Sequence, residues 1–285
     1  MIPGQSPDVD GLRQRYPGHF SPFGRERLIQ LLVAVAAVVV LLFGMAQLDF
    51  FSGKLAAGIG RLVEIADLML PPDPGSWAHA RTFAIALVQT IAIAFLGTLF
   101  AAVLALPVAM LAARNVTAAR IVRFLSRRSL DTIRSVDILV WALIWVNVVG
   151  LGPFAGALAI MTADIGSFGK LFSEAMEAAD RKPVEGILST GGSHALGIRF
   201  GILPEVFPVL VSQVLYYFES NTRSASIIGI VGAGGIGLHL AEAIRTLELQ
   251  QTSFIILLIL VAVAVIDFIS NRLRFAVIGP RGGTP

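Results

Sequence analysis

The feature that most constrains this chain is a series of apolar runs, each close to the length that crosses a bilayer as a helix. A helix needs about twenty predominantly apolar residues to span the hydrocarbon. Six segments of the 285 residues approach that pattern, and they are 28–48, 83–112, 133–149, 153–172, 203–230 and 254–270. The sequence therefore predicts an all-α, polytopic membrane protein with six transmembrane helices.

The composition supports a membrane protein and removes several kinds of chemistry. Hydrophobic residues make up 55% of the chain and charged residues 14%, with a mean hydropathy of +0.79. A chain without cysteine has no disulfide, thiolate metal site or cysteine nucleophile. The four histidines are scattered and follow no metal-ligand spacing. We therefore predict no metal site and no catalytic residue, which makes a membrane enzyme the weaker hypothesis.

The distribution of basic residues predicts the orientation in the membrane. With the N-terminus in the cytoplasm, 17 of the 22 Lys and Arg residues lie on the inner side. The remaining five are Lys54, Arg61, Arg81, Arg223 and Arg245. This bias follows the positive-inside rule and places both termini in the cytoplasm. The positive-inside rule then accounts for the net charge of +3 and the pI near 9.7, so no nucleic-acid partner is predicted.

The chain divides into four segments. Residues 1–27 form a cytoplasmic tail, which precedes an apolar run too long for a cleaved signal. Residues 28–82 hold the first transmembrane helix and a periplasmic loop, whose amphipathic stretch 55–70 is expected to lie on membrane lipid. Residues 83–274 form the core domain, and 275–285 form a second cytoplasmic tail.

A polar loop of about thirty residues, 174–203, interrupts the core domain on the cytoplasmic side. Simple connections between helices are mostly far shorter, so we expect this loop to contact something. The sequence predicts two short helices joined by a turn in this loop. Glu185 lies near the start of the first helix, and Gly191 and Gly192 form the turn. Ser193 is the N-cap of the second helix, and Pro204 opens the fifth span.

The spacing within this loop resembles the coupling-loop signature of ATP-binding-cassette (ABC) importer permeases. That signature reads Glu-Ala-Ala, three residues, Gly, nine residues, Ile, any residue, Leu-Pro. The matching positions are Glu185, Gly191, Leu203 and Pro204, with Leu188 among the three residues before the glycine. The chain departs from the signature at Gly186 and Ile187, where the family has alanines, and at Gly201, where it has isoleucine.

The resemblance extends from about residue 83 to residue 274 and is closest to the phosphonate-type permeases. The similar stretches are the small-residue-rich helix 90–107, the hairpin 141–156 and the glycine-rich segment 223–237. The chain departs at Asp137, where relatives commonly have proline, so a kink in the third span is left open.

The resemblance implies the type I ABC importer permease fold and a transport function. Such a permease moves phosphonate or a related small phosphorus oxyanion into the cytoplasm across the bacterial inner (cell) membrane. The implied partners are a second copy of the chain, an ABC ATPase dimer, and a periplasmic or lipid-anchored phosphonate-binding protein. Because the chain has no Gly-x4-Gly-Lys-Ser/Thr loop, ATP would be bound and hydrolysed by the ATPase, and the permease itself is predicted to be no enzyme and to hold no cofactor.

The resemblance also implies two groups of site residues. The ATPase-docking loop comprises Glu185, Leu188, Gly191, Gly192, Ser193, Leu203 and Pro204, although Glu185 and Gly191 could instead only shape the loop. The candidates for the pathway or gate are Glu219, Asn221, Arg223, Gly232, Gly234, Gly235 and Gly237. Arg223 either pairs with Glu219 four residues away or attracts the anion. The glycines either pack helices closely or bend as a gate, and a dinucleotide-binding turn is unlikely on the outer side of a membrane helix.

An ion-coupled secondary carrier for a small anion is the alternative function. Such carriers use intramembrane carboxylates within inverted repeats. The available carboxylates are Asp137, Asp164, Glu219 and Asp267, but the sequence shows no internal repeat.

Overall fold

The computed structural model describes residues 25–48, 50 and 54–278, and all regular structure among these residues is helical. The chain divides into two units, residues 1–67 and 68–285. The described part of the first unit holds α1 (Arg25–Gln47) and most of α2 (Lys54–Leu68). Helix α1 is the first predicted span, and α2 coincides with the amphipathic stretch expected in the periplasmic loop.

The second unit contains the core of the protein. Its helices are α3 (Trp77–Ala112), α4 (Arg120–Arg134), α5 (Ile138–Val149), α6 (Pro153–Ala178), α7 (Lys182–Ser189), α8 (His194–Gly197), α9 (Leu203–Ile228), α10 (Ile236–Arg245) and α11 (Leu249–Ile278). A π-helical turn, Ile198–Ile202, joins α8 to α9, and a 3-10 turn, Gly229–Val231, follows α9.

Four described helical stretches are long and apolar enough to cross a membrane. They are Leu28–Gln47, Trp77–Ala112, His194–Val231 and Leu249–Ala276, and a fifth is added if the bent pair α4 and α5 counts as one span. The polytopic all-α fold is thus confirmed, whereas the number six is not. Helix α6 has the length of a span but lies outside this set, because its sequence includes Asp164, Lys170 and Glu174.

The third predicted span, 133–149, is not one straight helix. Helix α4 ends at Arg134, α5 begins at Ile138, and the two axes differ by 88°. Asp137 caps α5, since its Oδ1 accepts a hydrogen bond from the backbone N of Leu139 at 2.8 Å. A side-chain cap of this kind fixes a helix start. The chain therefore breaks the helix at this point without the proline common in relatives.

Small residues allow the central helices of the second unit to approach closely. Along α3, Ala94, Ala101, Ala105 and Ala109 are fully buried. A Cβ added at Gly97 would lie 2.7 Å from the Cβ of Ile160 on α6, so this crossing requires glycine. Close contact through small side chains is the usual way in which membrane helices pack. Helices α3 and α6 thus form the centre against which α9 and α10 are placed.

Candidate functional site

The polar loop between α6 and α9 is fixed to the core at its entry. The backbone N of Asp180 donates to Oε1 of Glu205 at 2.9 Å, which links the end of α6 to the first turn of α9. Oδ1 of Asp180 accepts from the backbone N of Lys182 at 3.1 Å, where α7 begins. These hydrogen bonds therefore fix the position at which the loop begins.

The turn between α7 and α8 has the chemistry that its sequence predicts. Gly191 has φ +85°, a conformation that L side chains rarely adopt. Its N donates to the O of Leu188 at 3.0 Å, and the N of Gly192 donates to the O of Ile187 at 3.0 Å. Ser193 then caps α8 by accepting a hydrogen bond from the N of Leu196 at 3.4 Å. The turn and the cap lie where the sequence places them.

Val184 packs α7 onto the segment that leads into α9. A Cβ added at Gly197 would lie 3.0 Å from Val184 Cγ1, and one added at Gly201 would lie 2.9 Å from Cγ2 and 3.2 Å from the backbone N. Gly201 is the position where the family signature has isoleucine. In this chain the valine occupies the space that a larger side chain at 201 would need. Helix α7 and the start of α9 are consequently in direct contact.

The outer surface of the loop is apolar as well as charged. Leu188, Leu196 and Phe200 are 44%, 43% and 60% exposed, and Glu185 is exposed beside them. None of the eight residues of α7 is buried. Leu203 is half-buried against the core and Pro204 is exposed in the first turn of α9. A contiguous apolar patch on such a loop would be a candidate surface for contact with another protein.

Asn221 lies inside the subunit rather than on its surface. Its Nδ2 donates to Oδ2 of Asp164 at 2.5 Å and to Oγ1 of Thr98 at 2.8 Å. All three side chains are buried, at 5%, 5% and 1% exposure. This network joins α9, α6 and α3. A contact of Asn221 with cargo remains a prediction, and this conformation directs its amide to the protein interior.

Four charged side chains of α9 and α11 form an ionic cluster. Arg274 Nη2 lies 2.5 Å from Glu219 Oε2, and Arg223 Nη2 lies 3.8 Å from Glu219 Oε1. Arg223 Nη1 also lies 3.7 Å from Oδ1 of Asp267. The spacing along α9 predicts the pair of Glu219 with Arg223, whereas the two partners on α11 follow only from the antiparallel packing. Arg223 stays 48% exposed, so it can still meet a solute.

A groove of about 640 Å³ lies next to this cluster, towards the N-terminal end of α9. Its polar lining includes Glu205, Ser212, Gln213 and Arg274, and Tyr216 and Tyr217 form part of its wall. Four buried atoms here have no hydrogen-bond partner among the described residues, namely Glu205 Oε2, Ser212 Oγ, Gln213 Oε1 and Arg274 Nε. Buried polar atoms are nearly always paired in a complete assembly. The sequence does not predict this groove, because its residues come from three separate helices.

The glycine-rich segment packs at the end of the core where α6 and α10 begin. Gly232, Gly234 and Gly235 have φ of +94°, +81° and +74°, and residues 233–237 are buried. A Cβ at Gly234 would lie 2.6 Å from the backbone N of Pro153, at the start of α6. Oγ1 of Thr90 on α3 accepts from the N of Ile236 at 2.8 Å. The segment, with Gly237 in the first turn of α10, joins α3, α6 and α10, and a gating role remains a prediction.

These helices, with a two-helix loop before α9, define the type I ABC importer permease fold. A chain in an inward-facing crystal structure of the MetNI methionine ABC transporter matches with a TM-score of 0.62 and 19% identity, over 71% of this chain and 99% of that one. A chain of an amino acid ABC transporter matches with a TM-score of 0.58 and 15% identity, over 69% of this chain and 94% of that one.

The family described as "binding-protein-dependent transport system inner membrane component" matches residues 105–278, and the chain belongs to this family. HtxC of Stutzerimonas stutzeri, assigned to a phosphite transport system as a permease, is 37% identical over 89% of this chain and 88% of its own. The phosphite transport system permease protein PtxC of the same species is 34% identical over 83% and 87%. The phosphate-import permease protein PhnE of Mycolicibacterium smegmatis is 33% identical over 84% of this chain but 44% of its own.

Proposed function

We propose that this chain is the permease subunit through which phosphonate, or a related small phosphorus oxyanion, enters the cytoplasm. The observation that carries the choice of cargo is the similarity to phosphite permeases over more than four-fifths of both chains. The permease works with a separate ABC ATPase dimer and with a binding protein on the outer side. In this arrangement both termini are cytoplasmic, and the nucleotide is bound by the ATPase alone.

The cargo needs a polar path because it is charged. Even one charge at the centre of a bilayer costs about 2.5 kcal/mol or more. The exposed guanidinium of Arg223 and the adjoining groove provide polar groups along one side of α9. We propose that this face of α9 lines the pathway, opposite the same face of a second copy. The ionic cluster would then hold Arg223 in place while leaving its charge accessible.

In this proposal, the ATPase acts on the permease through the cytoplasmic loop. Helix α7 contacts the segment before α9 through Val184, and Asp180 links the end of α6 to Glu205 of α9. A force applied to α7 is therefore passed to both helices, as a rigid-body switch between outward-facing and inward-facing states requires. The exposed Glu185 and Leu188 provide a charge and an apolar contact for the ATPase.

The test is a charge reversal in the loop of the fully assembled complex. The permease, its ATPase and its binding protein are reconstituted in liposomes, and uptake and ATP hydrolysis are measured with phosphite, phosphate and an alkylphosphonate. The variant Glu185→Arg should lower coupled uptake by about tenfold or more, because an interface charge is reversed. The control Glu248→Arg reverses an exposed carboxylate outside the loop and should retain uptake.

The outcomes separate the parts of this proposal. Full coupled uptake by the Glu185→Arg complex would exclude docking through this residue. Stimulation of ATP hydrolysis by none of the three anions would exclude the choice of cargo. Accumulation of solute by the permease alone, driven by an ion gradient, would instead support a secondary carrier.

A further inference from the structure

Helix α4 is held against the core by one face. Arg127 Nη2 lies 2.5 Å from Glu177 Oε1, and Arg127 Nε donates to the O of Ala112 at 3.0 Å. Asp131 lies 3.2 Å from Lys170, and Leu130 is buried against α6. These contacts fix the rotation of α4 about its own axis, so its opposite face is defined.

The opposite face of α4 is apolar and uncovered. Ile121, Phe124 and Leu125 are 75%, 59% and 58% exposed. Their spacing of three and four residues places them side by side on one stripe of the helix. Three large apolar side chains in contact with water would be unfavourable, so this stripe must have a partner.

Arginines border the same stripe. Helix α4 contains five arginines and one aspartate. The side chain of Arg128 is 68% exposed and lies over the ring of Phe124, and Arg120 is exposed at the start of the helix. Of the acidic groups that face α4, Glu177 contacts Arg127 and Arg114, and Asp131 contacts Lys170 at 3.2 Å and Arg128 at 3.7 Å. The exposed face therefore keeps a positive charge.

The direction of α4 agrees with a helix at a membrane surface. Its axis differs by 88° from that of the apolar α5. If α5 enters the bilayer, α4 runs roughly parallel to the plane of the membrane. The excess of basic residues places α4 at the cytoplasmic side. High amphipathicity, low overall hydrophobicity, arginines and a Phe/Leu stripe are the features of helices that lie in the interface.

We propose that α4 is a surface helix that binds anionic phospholipid of the cytoplasmic leaflet. The stripe of Ile121, Phe124 and Leu125 inserts at the boundary between headgroups and acyl chains, and Arg120 and Arg128 contact lipid phosphates. Attraction between basic segments and anionic lipid is strongest on this leaflet. Because Arg127 is bonded to Glu177, one residue before the end of α6, the lipid contact also fixes the point at which the cytoplasmic loop begins.

The absence of cysteine from the sequence makes a depth measurement direct. Single cysteines at positions 121, 124 and 125 are spin-labelled in the full-length permease. The protein is then reconstituted in vesicles of phosphatidylcholine, or of phosphatidylcholine and phosphatidylglycerol in equal amounts. Depth is obtained from the accessibility of each label to oxygen and to a water-soluble nickel complex. We expect all three labels at one shallow depth of about 5–10 Å in the anionic vesicles, and closer to water in the neutral ones.

A pair of arginine variants tests the role of charge. Arg120→Gln with Arg128→Gln should abolish the difference between the two kinds of vesicle. The matched control, Arg181→Gln with Arg199→Gln, removes two exposed arginines from the cytoplasmic loop and should preserve that difference. All four side chains are exposed, so these variants are expected to fold.

Four results would overturn the proposal. Labels in water in both vesicles would show that lipid is not the partner, and equal depth in both would show that lipid charge is not recognised. A depth that increases steadily along α4 would indicate a membrane-spanning segment. Strong coupling between labels, or protection only after ATPase is added, would assign the stripe to a second copy or to the ATPase.

Discussion

At the scale of single residues, the buried amide of Asn221 is the polar contact on which the packing of three helices depends. Its Nδ2 pairs with Asp164 and Thr98, and both partners are buried. A buried acceptor that loses its donor pays its desolvation penalty in full. Asn221 thus supports the interior of the subunit in this conformation, whatever it contacts in others.

The variant Asn221→Ala should therefore lower the free energy of unfolding by about 1–3 kcal/mol, because it leaves Asp164 without this donor. The measurement is denaturant unfolding of the purified permease in detergent micelles. Asn147→Ala is the matched control, since the Asn147 amide is exposed and bonds only to the O of Leu143 in its own helix. An unchanged stability of Asn221→Ala would mean that the network contributes nothing.

Local chemistry explains which residues were predictable from the sequence. Gly191 and Ser193 act through the backbone of their immediate neighbours, so a turn and a cap could be inferred from their order in the chain. The partners of Glu219 and Arg223 on α11 lie about fifty residues away. No local pattern encodes such a pairing, because it depends on how two antiparallel helices are aligned.

At the scale of helices, hydropathy predicts the long spans better than the positions at which helices break. The first, second, fifth and sixth apolar runs correspond to stretches that qualify as spans. The bend at Ser135–Asp137 was not predicted, because hydropathy alone does not mark where the basic helix α4 ends and the apolar helix α5 begins, and only the cap at Asp137 reveals the start of α5. The C-terminal half of α6 carries the charged residues Lys170 and Glu177, which pair with Asp131 and Arg127 of α4. These charges make α6 less apolar than a typical span.

The packing of α7 on the segment before α9 explains the departure from the family signature at position 201. Substituting Gly201→Ile restores the family residue but places a Cβ 2.9 Å from Val184 Cγ2 and 3.2 Å from its backbone N. We expect α7 to move outwards and coupled uptake to fall by several-fold, because overpacking costs about 1–3 kcal/mol.

The second substitution Val184→Ala in the Gly201→Ile protein should recover part of that uptake, since it removes the closest side-chain atom. Liposome uptake at fixed ATPase concentration measures both variants, and Gly60→Ile in α2 is the control, because a Cβ at Gly60 meets no atom within 4 Å and the residue lies outside the docking loop. A Gly201→Ile permease as active as the parent would show that this contact does not transmit force.

At the scale of the whole molecule, the groove on α9 is a surface with unpaired polar atoms. Its buried atoms Glu205 Oε2, Ser212 Oγ, Gln213 Oε1 and Arg274 Nε have no partner within the described part of the chain. We expect a second permease subunit, with an aqueous space between the two copies, to cover this groove, because ABC ATPases act in pairs.

Cysteine crosslinking tests this arrangement in membranes. Tyr216 is 54% exposed at the groove, so Tyr216→Cys should form a disulfide-linked dimer on oxidation, and its yield should change when ATP is added to the complete complex. Val103→Cys, on an exposed part of α3, is the control that should stay monomeric. A crosslink at position 103 instead of 216 would place the interface on α3. If position 216 crosslinks only to a different co-expressed permease, the pair is a heterodimer, and the groove still faces a partner rather than lipid.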